Sequence, residues 1–331
     1  MKFRTLGRTG VQVSQLCFGT MSFGGDADEQ ASAAMYRACR EIGINFYDTA
    51  NQYSNGRSEQ ILGELIQGHR DELVLATKCF NPTGRDVNAR GLSRRHITHA
   101  LEDSLKRLKT DRVEVFYLHQ PDPATPIEES LRALEDLVRA GKILYPAISN
   151  HAAWQTQHAL DLQKAHDWAG LQVAQPMYSL VKRQAEVEIL PMAQANGLSV
   201  VPYSPAGGGL LSGKYAQKDK PATGRLVANS RYRDRYGEAW VHETAASFSA
   251  FCAKRGVHPV SMAVAWVAGH PAVTAPIIGA RNVEQLQASL DSIKIDMTQA
   301  LRAEISALSR TPPPATDRLE EALPETRAKS V

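Results

Sequence analysis

Eight short apolar runs rich in β-forming residues recur along this chain, each followed by a longer intervening stretch. The runs are QLCFGT from 15, INFYDT from 44, LVLATK from 73, VEVFYLH from 113, ILYPAIS from 143, LQVAQ from 171, LSVVPYS from 198 and VTAPIIG from 273. Between them lie segments of helical period, among them 27–43, 93–109 and 126–142. Ser93 reads as an N-cap, Pro126 as a first-turn residue ahead of Glu128 and Glu129, and Gly43 and Gly141 as stops. Strands alternating with helices imply parallel pairing through crossover helices. Eight such units in about 260 residues match a (β/α)8 barrel, an α/β fold, better than an open doubly wound sheet. The opening KFRTLGRTGVQVSQL reads as a β-hairpin turning at Gly7–Gly10 and capping the barrel floor.

Three segments exceed simple connections: 80–92, 215–240 with Tyr215, Tyr232, Tyr236 and Trp240, and the tail from 311. Loops of that length in a compact domain tend to be functional or disordered. The expected organisation is one barrel domain over 1–310, with long loops at its C-terminal mouth, and a proline-rich, charged tail over 311–331. No second domain is expected.

Hydrophobic residues make up 43% of the chain and charged residues 22%, as in a soluble globular protein with ample core. The 38 basic and 35 acidic side chains leave a net charge of +3 without blocks of like sign. Neither a nucleic acid nor a membrane surface is therefore expected as the main partner. No apolar run reaches the roughly 18 residues a membrane span needs, and no apolar segment follows the basic start. Cys17, Cys39, Cys79 and Cys252 form no C-x-x-C pair. They read as reduced core thiols, with the cytoplasm as the expected compartment.

Alternate residues of a strand share a face. Counting back from the strand ends pairs Phe46 with Asp48, Ala76 with Lys78 and Tyr117 with His119. Three consecutive strands thus end in Asp, Lys and His on the inward face at the C-terminal mouth, where barrel enzymes keep their active sites. An isolated buried charge is costly, so Asp48 and Lys78 should pair. Any one of these residues alone reads better as part of a structural bridge or as a core histidine. All three at matched positions point to a site. Tyr53 follows Asp48 in a short loop, before a helix read as capped by Ser58. Beside Lys78 its phenol is expected to fall below a reference pKa of roughly 10 and to serve as a proton donor to a carbonyl oxygen. Asp48 would hold Lys78, and His119 would orient the carbonyl or help shuttle the proton.

No metal-ligand set is expected: there is no H-x-H at a strand end and no H-E-x-x-H, and His96 and His99 read as a solvated helix face. Nor is there a G-x-S-x-G elbow. An acid–base site without metal or nucleophile needs an organic cofactor for the difficult chemistry. Gly208-x-x-x-x-Gly213-Lys214 looks like a nucleotide-hydrolase phosphate loop, but Tyr215 stands where that motif needs Ser or Thr for Mg²⁺.

Asp48, Tyr53, Lys78 and His119 resemble the catalytic tetrad of the aldo-keto reductases, which are (β/α)8 barrels that use NADPH. The resemblance runs from LGRTGVQVSQLCFGTMSFGG at 6 to about residue 310. It includes YDTANQYSNGRSEQILG, YLHQPD, PYSPAGGGLLSGKY and IIGARNVEQL. It implies that Ser149, Asn150 and Gln175 hydrogen-bond the nicotinamide carboxamide and that Tyr203 stacks on the ring. Ser204, Gly207, Gly208, Gly209 and Leu210 would let backbone approach the pyrophosphate, with Ser212 and Lys214 adding polar contacts. In the segment containing Gly279, Asn282 and Gln285 read as a helix-capping pair. Arg281 at that helix start suits a 2′-phosphate, which favours NADPH over NADH. Ser289 stands where the family often has Asn, at a position associated with adenine. Phe23, Phe80, Tyr178 and the aromatics after Lys214 would wall the substrate pocket. The expected function is NADPH-dependent reduction of an aldehyde or ketone, with NADPH as cofactor, no metal, and a small-molecule carbonyl as partner. The oligomeric state is open. The alternatives are a non-catalytic, NADPH-binding relative of the channel-subunit type and a metal-dependent barrel hydrolase using Asp48 and His119.

Overall fold

The computed structural model describes residues 1–215 and 225–318. Part of the 215–240 loop and the tail from 319 therefore lie outside the described residues. Strands β1 (Phe3–Thr5) and β2 (Gln12–Ser14) form the expected antiparallel hairpin. The remaining strands are β3 (Cys17–Gly19), β4 (Phe46–Asp48), β5 (Val74–Cys79), β6 (Val113–Leu118), β7 (Ile143–Ser149), β8 (Val173–Gln175), β9 (Ser199–Val200) and β10 (Ile277–Ile278). They form one parallel eight-stranded sheet in the order β10-β3-β4-β5-β6-β7-β8-β9. A parallel bridge from Val200 to Val273 closes the ring, supported by Thr274 N donating to Val200 O at 2.8 Å and Ile277 N to Pro202 O at 2.9 Å. Each of the eight apolar runs has become one strand of a (β/α)8 barrel.

The last three strands are shorter than their apolar runs. Pro176, Pro202 and Pro276 flank them, and a proline cannot donate to the ladder.

Side-chain parity divides the core in two. Cys17, Phe46, Ala76, Val115, Tyr117, Ala147 and Val173 point into the barrel, where they meet Leu6 and Val13 of the hairpin. The hairpin is thus a hydrophobic floor. Phe18, Tyr47, Phe116 and Ile148 point outward and pack under the helices, against residues such as Ile97, Leu101 and Leu134. The helix Ile127–Arg139 shows why: Leu131, Leu134 and Leu137 recur at helical spacing on its buried side.

Caps set where the helices begin. Ser93 Oγ accepts from His96 N at 3.3 Å at the head of helix Arg94–Leu108. Two sequence readings need correction. The helix after Tyr53 spans Arg57–Leu65 with Gly56 at its cap, while Ser58 lies inside it and donates to Thr20 O at 2.8 Å. That bond ties the helix to the end of β3. His96 is buried beneath its helix and only His99 faces solvent, because its position falls beside Ile97 and Ala100 on the core side. All four cysteines are buried and unpaired. Among the described residues, no helix is long and apolar enough to cross a membrane.

Candidate active site

Register brings the strand ends together. Asp48 pairs with Ala76, and Lys78 with Tyr117, so Lys78 stands one inward position above Asp48 at the mouth. The Lys78 ammonium donates to the Asp48 carboxylate and to Thr49 O at 2.7 Å, and lies 3.5 Å from the Tyr53 hydroxyl. Lys78 is fully buried and Asp48 is 2% exposed. Gln175 Nε2 donates to the second Asp48 oxygen at 2.9 Å. The faces of Tyr53 and Tyr117 complete the ammonium's surroundings, with ring centroids at 5.1 and 5.6 Å.

Tyr53 reaches this point because the chain reverses sharply after it. Ser54 and Asn55 take left-handed φ of 48° and 53° before Gly56 opens the next helix. Left-handed conformations cost free energy for residues other than glycine, least for Asn. The Tyr53 ring sits edge-on to His119, with centroids 6.2 Å apart.

Burial works against the charge on Lys78, but Asp48 and Tyr53 outweigh it and hold the ammonium above its ordinary pKa. Burial also raises Tyr53 above its ordinary value of 10.0; Lys78 pulls it down without overcoming that rise. This reverses the expected direction. Desolvation around the half-buried ring favours the neutral phenol more than one nearby ammonium offsets. Burial, and then Lys78, push His119 down to about 3. At neutral pH the site therefore holds a protonated phenol, a fixed cation and a neutral imidazole.

A hydrogen-bonded chain extends from this centre. Ser149 Oγ donates to Gln175 O at 2.9 Å; Asn150 Nδ2 donates to His119 O at 2.9 Å and to Ser149 Oγ at 3.1 Å. The Tyr203 hydroxyl donates to Asn150 Oδ1 at 2.7 Å. Ser149, Asn150, Gln175 and Tyr203 are thus joined to one another and to Asp48 and His119. Beyond Tyr203, Ser204 has φ 59°, and Gly207, Gly208 and Gly209 have φ of 60°, 65° and 95°. They open the short 3-10 segment Gly207–Ser212, in which Leu210 is buried and Ser212 Oγ donates to Gly209 O at 2.6 Å. A Cβ at Gly208 would come 2.8 Å from the Tyr232 ring, so backbone alone fits there. Lys214 Nζ lies 4.9 Å from the Tyr215 ring centroid.

Gly279 packs against β3, where an added Cβ would lie 3.2 Å from Gly19 O. Asn282 caps the helix Val283–Leu290 by accepting from Gln285 N at 2.9 Å, and Gln285 Oε1 accepts from Arg281 N at 3.4 Å. Arg281 is half-buried, and its guanidinium makes no ion pair among the described residues. Ser289, at 4% exposure, offers little surface to any ligand.

The pocket wall needs revision. Phe23 is fully buried against Phe18, with centroids 5.8 Å apart, on the helix side of the strands. Tyr178 is also fully buried, 5.2 Å from the Trp266 ring; its hydroxyl donates to Glu186 Oε1 at 2.5 Å and accepts from Arg302 Nη2 at 2.7 Å. Both hold elements together and neither offers a face to a substrate. Phe80 is half-buried where β5 ends. Tyr215, Tyr232 and Trp240 are half-buried, and Tyr236 is buried. Among the described residues, no three His, Cys, Asp or Glu side chains are grouped to hold a metal ion.

Sequence reasoning missed one member of the centre and one of its bonds. Thr49 acts through its carbonyl, which leaves no trace in side-chain chemistry. The bond from Gln175 to Asp48 had a signal, because Gln175 ends β8 on the same inward parity as the other strand-end residues.

The Aldo/keto reductase family matches residues 15–310, which span the barrel and every residue of the site. This chain belongs to the aldo/keto reductase family of oxidoreductases. It is 39% identical to the "Uncharacterized oxidoreductase YrpG" of Bacillus subtilis, covering 91% of this chain and 94% of that protein. It is 35% identical to a "Probable voltage-gated potassium channel subunit beta" of Oryza sativa, covering 96% and 99%. It is also 38% identical to "Aflatoxin B1 aldehyde reductase member 2" of Rattus norvegicus, covering 82% and 78%.

Proposed function

We propose that this chain is an NADPH-dependent reductase of aldehydes or ketones, with Tyr53 as the general acid. The observation that carries the reading is the Tyr53 hydroxyl, 3.5 Å from a Lys78 ammonium that is in contact with the Asp48 carboxylate. A carbonyl oxygen gaining negative charge beside Tyr53 would take the phenolic proton, and Lys78 would stabilise the phenolate left behind. Asp48 and Thr49 O fix the ammonium, and Gln175 fixes Asp48. The neutral His119 ring offers an N–H to the same carbonyl oxygen and adds no charge to compete with Lys78.

The residues present fit a dinucleotide. In the left-handed run Gly207–Gly209, Gly207 N and Gly209 N already donate to Ser204 O and Ala206 O. Gly208 N is the one of the three left to face a pyrophosphate, and Arg281 is a cation with no ion pair among the described residues. Ser149, Asn150 and Gln175 would hold the carboxamide and Tyr203 the nicotinamide ring. NADPH, when bound, supplies the hydride. The rat relative named as an aldehyde reductase supports the substrate class.

Tyr53→Phe tests the reading. It is expected to lower kcat/KM for NADPH-dependent aldehyde reduction by about 10²–10⁴-fold while NADPH affinity, followed by fluorescence titration, stays unchanged. A Phe variant that keeps its activity removes Tyr53 from the acid's role. The relative named as a potassium channel subunit favours a second reading, a binding subunit that carries the cofactor without turnover. Tight NADPH binding with no oxidation of it across a panel of aldehydes, ketones and sugars would select that reading.

A further inference from the structure

A cleft of about 280 Å³ lies between the segment leaving β6 and the helix Ala153–Ala165. Its wall begins two residues beyond His119, at Pro121, and one residue beyond Asn150, at His151. No residue of the tetrad or of the expected cofactor set lines it. Leu92, Pro121, Ile127 and Trp154 make its apolar surface. Trp154 is 70% exposed and makes no hydrogen bond or ring contact among the described residues, so its indole can turn at little cost.

His151 gives the cleft its chemistry. The side chain is 6% exposed, and its Nδ1 lies 2.8 Å from Ser149 O. A carbonyl oxygen only accepts, so Nδ1 carries the proton. Burial also keeps the ring neutral by lowering its pKa. Nε2 is then a lone-pair acceptor, and it has no partner among the described residues. A buried acceptor without a donor is unfavourable and needs a reason.

Among the other polar groups of the lining, Gln155 Oε1 accepts from Ala152 N at 2.9 Å, while its amide hydrogens and the exposed His158 ring have no hydrogen-bond partner among the described residues. Ser130 Oγ donates to Leu92 O at 2.8 Å, and Thr125 Oγ1 to Asp122 Oδ2 at 2.9 Å. Asp122 also accepts from Leu92 N at 2.7 Å and Ala124 N at 3.0 Å. The only permanently charged group in the lining is this carboxylate, which disfavours anions. An ammonium brings three N–H donors, whereas His151 Nε2 is the one buried acceptor of the lining with no hydrogen-bond partner among the described residues. A hydroxyl brings one.

We propose that this cleft is a second small-molecule site that takes a one-ring phenol, its O–H donated to His151 Nε2 and its ring laid against Trp154 and Pro121. The volume sits at the lower edge of the roughly 300–1,000 Å³ usual for ligand pockets, which suits one ring and not a dinucleotide. The site stands independently of the reductase reading.

The test titrates the whole chain, labelled with ¹⁵N-histidine, with p-cresol and with 4-methylanisole, the same ring without a donor. Cresol is expected to bind saturably and move the His151 Nε2 resonance upfield, with the ether about fivefold weaker. His151→Phe, its fold checked by thermal melting, should reduce cresol to the ether's affinity, and Trp154→Ala should weaken both probes. Equal affinity of the two probes, a stationary Nε2 resonance at saturation, or no cresol binding overturns the proposal. Should His151→Phe fail to fold, the probe pair and the resonance on the unaltered chain still decide.

Discussion

Lys78 and Asp48 show how far one pair of residues can bind a fold and its chemistry together. Both charges have left water, and each tolerates this only because the other is in contact with it. Removing one partner of such a pair strands a buried charge and typically costs about 3–5 kcal/mol, whereas removing both can be close to neutral. Lys78→Met is therefore expected to destabilise the protein by about 3–5 kcal/mol in urea unfolding, and Asp48→Asn/Lys78→Met by much less. A double variant as unstable as the single would mean that packing, and not charge, holds this spot. The pairing itself was readable from sequence, since parity along β4 and β5 puts both residues on one face. The direction of the Tyr53 pKa was not. It depends on how much water the surrounding loops exclude, and no local pattern records that.

Strand identity was legible because the apolar runs are separated by helical periods, and the hairpin because its glycines mark the turn. Strand length was less so, since Pro176, Pro202 and Pro276 cut the ladder short. Where parity does not apply, sequence gave no direction: Phe23 and Tyr178 lie in loops, and both turned into the helix layer. The helix Val283–Leu290 is an element whose reading did transfer, with Asn282 at its cap and Arg281 just before it. On the proposed reading, its free first-turn N–H groups and the Arg281 guanidinium together would hold a phosphate. Hydrogen bonds to a charged group are worth about 1.5–3 kcal/mol, or roughly 10–100-fold in affinity. Arg281→Ala is thus expected to weaken NADPH by about that factor and leave NADH unchanged in parallel titrations. Equal losses for the two cofactors would place the 2′-phosphate elsewhere.

Across the whole molecule, four histidines are held neutral by burial: His96, His119, His151 and His270, with His119 pushed down to about 3 and His270 to about 4. Each has an ordinary value near 6.5 once the chain unfolds. Below that pH the unfolded chain takes up protons that the native protein refuses, so acid favours unfolding. The stabilisation is fully present above pH 6.5 and is lost as pH falls toward each folded value. The lowered carboxylates Glu135, Glu186 and Asp291 act in the same direction, but only below their ordinary values of 4.5, 4.5 and 3.8. The window from pH 6.5 to 5 therefore belongs to the histidines. His119, pushed down to about 3, should contribute a slope approaching about 1.4 kcal/mol per pH unit there. His96, His151 and His270 should add slopes of the same sign. Urea unfolding at pH 7, 6 and 5 is expected to show stability falling with acid through this window, and His119→Gln to show a shallower fall. A flat profile from pH 7 to 5 would mean that these rings take up protons in the folded barrel, and with them the neutral imidazole assigned to the site would be lost.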